Sequence, residues 1–334
     1  MLELIDSFAG LAAIAEEWRE LCDRAPQATL FQTPEWLLPW WKHLGGGDIC
    51  SLALRSKGRL CALAPLFRHG MPGQNIRQIS FIGAGITDYL DFIAEPEVAH
   101  EFALAVRQWL DGKRTDWDVV NLEELRPHAV ALAFGRSEPC SVCPVIDLPD
   151  SVDSWEAALD TTHRRNVRHA RAHGGFGYKE STDETSFPDF IRLHELSWRD
   201  RNQEGVLNTE NLRAFYRQAA ECLAAAGHLR MHLLEREGAL AGAIFGMSYK
   251  SRGYAYLGGF DPALRKLSPG TVLMWHAIAG AISAGANEWD LLRGPEAYKY
   301  LWGASDRQNL RVWLIDRVQT AAFGCRQNES NLEP

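Results

Sequence analysis

The sequence predicts an α/β (α+β) protein with mixed, mostly antiparallel sheets flanked by helices. Two observations suggest the class. Segments with apolar residues every three or four positions alternate with short runs rich in β-branched and aromatic residues. Tight turns such as Lys57-Gly58 and Glu237-Gly238 join neighbouring strand-like runs into hairpins. A third bears on domain number: the 334 residues suit about two domains of ~150 residues each.

In order, an opening strand near residues 1–6 precedes a helix over 11–22, where Leu11, Ile14, Ala15, Trp18 and Leu21 share a face. Pro34 starts a second helix carrying Trp36, Leu37, Trp40 and Trp41, and Gly45-Gly46-Gly47 stops it. Runs 50–54 and 60–67 form a hairpin, and 77–82 and 89–93 read as further strands. Phe102, Ala105, Val106, Trp109 and Leu110 mark a helix, followed by a strand at 117–122, a helix at 127–134 and a strand at 142–148. Pro149-Asp150-Ser151 is the expected boundary, dividing a first domain, 1–150, from a second, 151–322, with a polar tail at 323–334.

The second half opens with helices over 153–173, 187–201 and 209–226, the last stopped by Gly227. A meander at 228–235, 239–249 and 254–259 follows. A Pro/Gly turn, a helix at 270–284, a strand at 288–292, a helical turn at 296–303 and a strand at 310–315 complete the chain.

Composition narrows the function. The chain is 46% hydrophobic and 23% charged, which excludes disordered and collagen-like classes. Its net charge of −8 gives no global support for gripping DNA or an anionic membrane, so an anion site must be local. Seven scattered cysteines suit reduced thiols, and the start lacks a basic-then-apolar signal, so the expected location is cytoplasmic. Residues 267–287 lack charge but carry Pro269, Gly270 and His276, and read as a buried helix rather than a membrane span. Cys140 and Cys143 have no second pair, and His169 and His173 no third ligand, so no metal is expected.

The chemistry concentrates at Arg265-Lys266-Leu267-Ser268-Pro269-Gly270-Thr271. A meander strand, a sharp turn and a helix aim a helix N-terminus out of a sheet, and two cations precede it, which suits a diphosphate. A plain capped helix start, with Ser268 as N-cap and Pro269 in the first turn, fits the same residues.

Arg265-x-x-Ser268-x-Gly270 resembles the pyrophosphate loop of the GNAT N-acetyltransferase superfamily. Tyr254-Ala-Tyr256-Leu-Gly-Gly259-Phe260-Asp261, Trp289-Asp290-Leu-Leu-Arg293-Gly294, Tyr298-Lys299 and Thr162-His163-Arg164-Arg165-Asn166-Val167-Arg168 are similar to motifs of its CelD/BcsL branch, relatives of the FemAB transferases. Ser268 stands where that loop has a glycine, and Pro269 removes an N–H donor.

The resemblance implies tandem GNAT-like units: a second that binds acetyl-CoA as co-substrate through Arg265, Lys266, Leu267, Ser268, Gly270 and Thr271, and a first that helps form the acceptor side. It implies direct attack of an amine on the thioester, the amine being that of a small-molecule or lipid-linked amino sugar. The setting would be exopolysaccharide biosynthesis, with peripheral contact to a polysaccharide synthesis complex and no integral membrane segment.

Asp261, Asp290, Tyr256 and His194 are the candidate catalytic groups; each also has a structural reading, as turn cap, ion-pair partner or core side chain. Arg164, Arg165, Asn166 and Arg168, with Arg171 one turn on, form a basic helix face that, with Tyr298 and Lys299, could bind an anionic substrate. FemAB-like aminoacyl transfer and a non-catalytic nucleotide-effector protein are the rival readings.

Overall fold

The computed structural model describes residues 2–71, 73–201 and 205–315; the tail expected at 323–334 lies outside the described residues. The described residues form two compact units: those within 2–41, 45–141 and 308–315, and those within 42–44 and 142–307. They divide at 141/142 and again at 307/308, so the turn at 149–151 falls inside the second unit.

The first unit comprises β1 (Leu2–Ile5), α1 (Phe8–Ala13), α2 (Ala15–Arg24), α3 (Pro34–Leu44) up to residue 41, β2 (Asp48–Ile49), β3 (Ser51–Ser56), β4 (Arg59–Ala64), β5 (Leu66–Gly70), β6 (Arg77–Phe81), β7 (Ile93–Ala94), α4 (Ala99–Gly112) and β8 (Val119–Leu125). β1, β3, β4 and β7 make one antiparallel sheet. β2, β5 and β6 continue antiparallel, and β6 joins β8 in parallel. Buried Trp18, Phe31, Trp36 and Tyr89 fill its interior. The strand expected at 89–93 shrinks to Ile93–Ala94. Here the buried Asp91 carboxylate accepts N–H bonds from Phe92, Val130 and Ala131 and replaces a strand ladder. The helix expected over 127–134 is a 3-10 turn, Val130–Phe134, held by the same carboxylate.

The chain passes through β9 (Ser137–Asp147) into α5 (Val152–Ala158), α6 (Thr161–His173), β10 (Gly177–Ser181), α7 (Phe187–Arg199), α8 (Glu210–Ala225), β11 (Leu229–Arg236), β12 (Ala239–Tyr249), β13 (Arg252–Phe260), α9 (Pro269–Ser283), β14 (Glu288–Asp290) and α10 (Ala297–Tyr300). It then returns through β15 (Ser305–Ile315), which pairs with β8. In the second unit β10, β11, β12 and β13 are successively antiparallel, β13 and β14 parallel, and β14 and β9 antiparallel. Alternate residues of β12 serve opposite faces. Ile244 packs with α9, α5 and α6, whereas Phe245 meets Phe187, Phe190, Tyr216 and Tyr256.

Two local differences have clear causes. The helix expected over 153–173 breaks at Leu159, which is extended, because Asp160 caps a new start by accepting from the Thr162 and His163 N–H groups. The polar strand β10 hid from hydrophobic patterning because most of its residues are exposed or half-buried.

Candidate functional site

The centre of the second unit is the place where β13 and β14 part. Their register ends at Tyr254 opposite Asp290. Beyond it the β14 chain keeps its bonds to β9, Leu291 N–H to Pro144 O at 3.0 Å and Gly294 N–H to Val142 O at 2.9 Å, and leaves β13. Leu292 takes a left-handed φ of 59°, held by its N–H donating to Asp290 Oδ1 at 2.8 Å. Lys299 fixes the same turn. Its buried ammonium donates to the carbonyls of Leu292, Arg293 and Gly294 at 2.9, 3.0 and 2.9 Å and pairs with Glu296.

On the β13 side a bulge inserts Tyr256 where Phe245 faces Leu257 and Gly246 faces Ala255. Asp261 N–H donates to Ala241 O of the β12 side, so alternation turns the N–H and C=O of Gly258 and Phe260 toward the open side. The Ser197 hydroxyl caps those of Phe260, at 2.8 and 2.7 Å. Gly258 is exposed, its peptide edge facing the gap. Gly259 must lack a side chain, since a Cβ there would lie 2.5 Å from the backbone N of His194.

A 3-10 turn, Pro262–Leu267, ends in Ser268 with φ 55°, and α9 starts at Pro269. Asp261 caps this turn by accepting the Ala263 N–H at 2.9 Å. Pro269 has no N–H, and those of Thr271 and Val272 both turn to Ser268 O. Gly270 therefore carries the first-turn N–H with no backbone acceptor among the described residues. Arg265 pairs with Asp200 just past α7, while Lys266 is exposed.

His194 is buried on α7, where burial pushes its imidazole down to about 4 and the Arg201 charge adds to this. Its Nε2 accepts the Trp198 Nε1–H at 2.9 Å, so the proton of the neutral ring sits on Nδ1, which packs against Gly205 and has no hydrogen-bond partner among the described residues. A base needs a free lone pair, and this ring offers a donor instead. Tyr256 shares a 3.0 Å hydroxyl contact with Tyr216 inside the aromatic layer. Asp290 is held by Arg307 Nη1 at 3.2 Å as well as by Leu292. Tyr298 is 50% exposed as a residue, yet its hydroxyl is enclosed enough to be pushed up to about 12, with Glu296 adding and Arg201 opposing.

The basic face of α6 is partly occupied. Arg164 donates to the Glu156 and Ala157 carbonyls, and Glu156 takes Arg168 at 3.6 Å, Arg171 at 3.3 Å and the Trp275 indole at 2.7 Å. Arg171 lies 3.1 Å from the Trp275 ring centre, and Arg165 and Asn166 are exposed. The structure thus gathers Tyr256, Asp261, the 265–271 loop, Asp290 and the α7 residue His194 along the two parting strands. It anchors Lys299 in a turn and leaves the α6 arginines beside Glu156 and α9.

Sequence reading missed Ser197, Asp200 and Arg201, the end of α7 that touches β13 and the donor loop. The Gly258-Gly259 pair inside a strand was the available signal of a close approach there. Among the described residues no three His, Cys, Asp or Glu are grouped to hold a metal, and no helix is long and apolar enough to cross a membrane.

Residues 158–300 match the family model of an acetyltransferase (GNAT) domain. This stretch of the second unit is thus similar to a GNAT-type acetyltransferase domain. No curated protein matches the chain in sequence. Among solved structures, FemX is similar over 92% of this chain and 98% of its own, at 13% identity and a TM-score of 0.69. The C-terminal domain of a putative lysylphosphatidylglycerol synthetase from Agrobacterium fabrum covers 95% and 96%, at 12% identity and 0.59. A conserved protein of unknown function from Bacteroides thetaiotaomicron VPI-5482 covers 95% and 100%, at 12% identity and 0.58. At such identities the likeness speaks for the fold.

Proposed function

We propose that the protein is an acyl-CoA-dependent N-acyltransferase that acetylates an amino sugar of an exopolysaccharide precursor. The observation that carries this reading is the gap where β13 and β14 part, with the exposed peptide of Gly258 on its edge and the start of α9 at its end. An extended amide-bearing arm can pair with a free strand edge, and a diphosphate suits a helix N-terminus. Gly270 N–H, Ser268, Thr271 and the backbone at Leu267 would hold that diphosphate, with Lys266 as its cation. Arg265 serves through Asp200, fastening the loop to α7.

In the reaction the amine nitrogen bonds to the thioester carbon as the carbon–sulfur bond breaks. The ammonium proton leaves to water and the sulfur departs as a thiolate that takes a proton. The chain orients the partners, and the Tyr298 hydroxyl, kept protonated, supplies a donor rather than a base. The partnered state of Asp290 makes it a holder of the strand turn, as the cap makes Asp261 a holder of the loop.

The amino-sugar part rests on the resemblance to the CelD/BcsL branch. Thiol release from acetyl-CoA with a panel of amino sugars tests it: turnover above background with at least one supports the reading, and none with any contradicts it. Aminoacyl transfer is the second reading. It draws on the putative lysylphosphatidylglycerol synthetase among the fold neighbours, whose name specifies an aminoacyl group. Transfer from a charged tRNA without acetyl-CoA turnover would favour it. The effector-binding reading loses support because Arg164 is turned to carbonyls of its own unit.

A further inference from the structure

We propose that α6 reads the 3′-phosphate of the acyl-CoA donor: Arg168 and Arg171, gathered on Glu156 and Trp275, seat a phosphate separate from the diphosphate at the start of α9. This rests on the transferase reading and extends the donor site of the same unit.

The topology brings the end of α6 to the donor loop. Only residues 174–176 join α6 to β10, whose first residue, Gly177, lies opposite Glu235 near the end of β11. Arg236 of that end faces Ala239, the first residue of β12, and Gly242 of β12 faces Phe260, the last of β13. Phe260 leads through the 3-10 turn Pro262–Leu267 into α9. α6 therefore finishes at the end of the sheet where α9 begins. The side chains agree, since Val167 and Ala170 of α6 share one buried cluster with Val272 and Ala277 of α9. Arg171 lies over the ring of Trp275, which follows Thr271 by one turn, about 6 Å along the helix axis.

This cluster is short of negative charge. Arg168 and Arg171 stand three residues apart on one face of α6 and share Glu156. Its Oε2 is 3.6 Å from Arg168, while Oε1 takes both Arg171 at 3.3 Å and the Trp275 indole N–H at 2.7 Å. Both guanidinium distances exceed the ~2.7–2.9 Å of a close charge-assisted pair. Burial, opposed by Glu156 and aided by the Arg168 charge, holds the Arg171 guanidinium below its usual range. The Arg168 side chain is 64% exposed, so an incoming anion can reach the pair.

In coenzyme A a single ribose carries the diphosphate on its 5′ oxygen and a phosphate on its 3′ oxygen. A donor whose diphosphate sits on Gly270 must place the second phosphate within a ribose's reach, and the arginine pair stands one turn of α9 away. A planar guanidinium takes a phosphate by two parallel hydrogen bonds, and two guanidiniums match a dianion. Arg168 and Arg171 are specificity-determining residues for the donor in this account and take no part in the acyl transfer.

The experiment titrates the full-length protein calorimetrically with acetyl-CoA and with acetyl-dephospho-CoA, which lacks only the 3′-phosphate. Wild type, Arg168→Gln, Arg171→Gln and the double variant are compared. The expected result is at least tenfold tighter binding of acetyl-CoA to wild type, the preference reduced in each single variant and lost in the double one. Acetyl-dephospho-CoA should bind alike in all four, which also shows that the variants fold. Equal binding of the two donors to wild type, or a preference that survives in the double variant, overturns the proposal and leaves the donor reading standing. If neither donor binds folded wild type, the donor reading falls and the proposal with it. Arg171→Lys separates charge from packing against Trp275. Part of the preference kept in Arg171→Lys and more of it lost in Arg171→Gln supports the proposal; equal weakening of both donors in both variants overturns it for Arg171.

Discussion

Gly259 shows how one missing side chain positions the site. Its Cα faces the backbone of His194, and Gly259→Ala would place a methyl group 2.5 Å from that nitrogen, forcing α7 off β13. The expected cost is about 1–3 kcal/mol of stability, measured by urea unfolding, with acyl transfer falling further than stability alone accounts for. His194 gives a pH signature at the same scale. Its folded value of about 4 lies below the unfolded value of ~6.5, so the folded state binds fewer protons between them. Its contribution is therefore present above pH ~6.5 and lost as pH falls toward 4. Unfolding free energy measured across that window should rise with pH less steeply in His194→Asn than in wild type, by up to about 1.4 kcal/mol per unit. An unchanged slope contradicts the neutral, buried imidazole. The sequence singled out His194 and the glycine-bearing strand. It could not show that Trp198 occupies the Nε2 lone pair, because that depends on a rotamer rather than on spacing.

Among elements, α7 and α10 decide the geometry. Ser197→Ala removes the cap on Phe260 and leaves a backbone N–H without its partner, so a loss of about 1–3 kcal/mol is expected. Steady-state kinetics should show a raised KM for the acyl donor with a smaller change in kcat; an unaltered KM would separate Ser197 from donor binding. Lys299→Met leaves three carbonyls and Glu296 without their cation. Calorimetric melting should reveal a loss of about 2–4 kcal/mol, the penalty of unsatisfied buried acceptors, and equal stability would contradict the anchoring role. Lys299 was legible as part of a motif but not as an anchor, since lysine is mostly an exposed residue and the carbonyls it gathers converge only through the left-handed turn at Leu292. The meander β11–β13 and the helix α9 were legible within a few residues because their turns and apolar periods are strong. β10 and the break at Leu159 were not, one being polar and the other set by the Asp160 cap.

Over the whole chain, the α/β class and antiparallel-rich sheets followed from alternating periodicities, and the likeness of 158–300 to a GNAT domain from ordered motifs around the loop. What the chain order obscured is that the last strand returns: residues 308–315 belong to the first unit, a pairing over more than 180 residues that no local pattern encodes, as in Leu310 opposite Leu125. The central claim is that the gap beside β13, closed at one end by the start of α9, seats an acyl-CoA donor. Isothermal titration of acetyl-CoA into wild type and Gly270→Asp tests it most directly. A Cβ at Gly270 meets only the Phe260 ring at 3.5 Å, so the variant should fold, and its carboxylate would face the diphosphate. Micromolar binding to wild type that weakens at least tenfold in Gly270→Asp is the predicted result. Absence of binding to folded wild type, or equal binding to both forms, would contradict it.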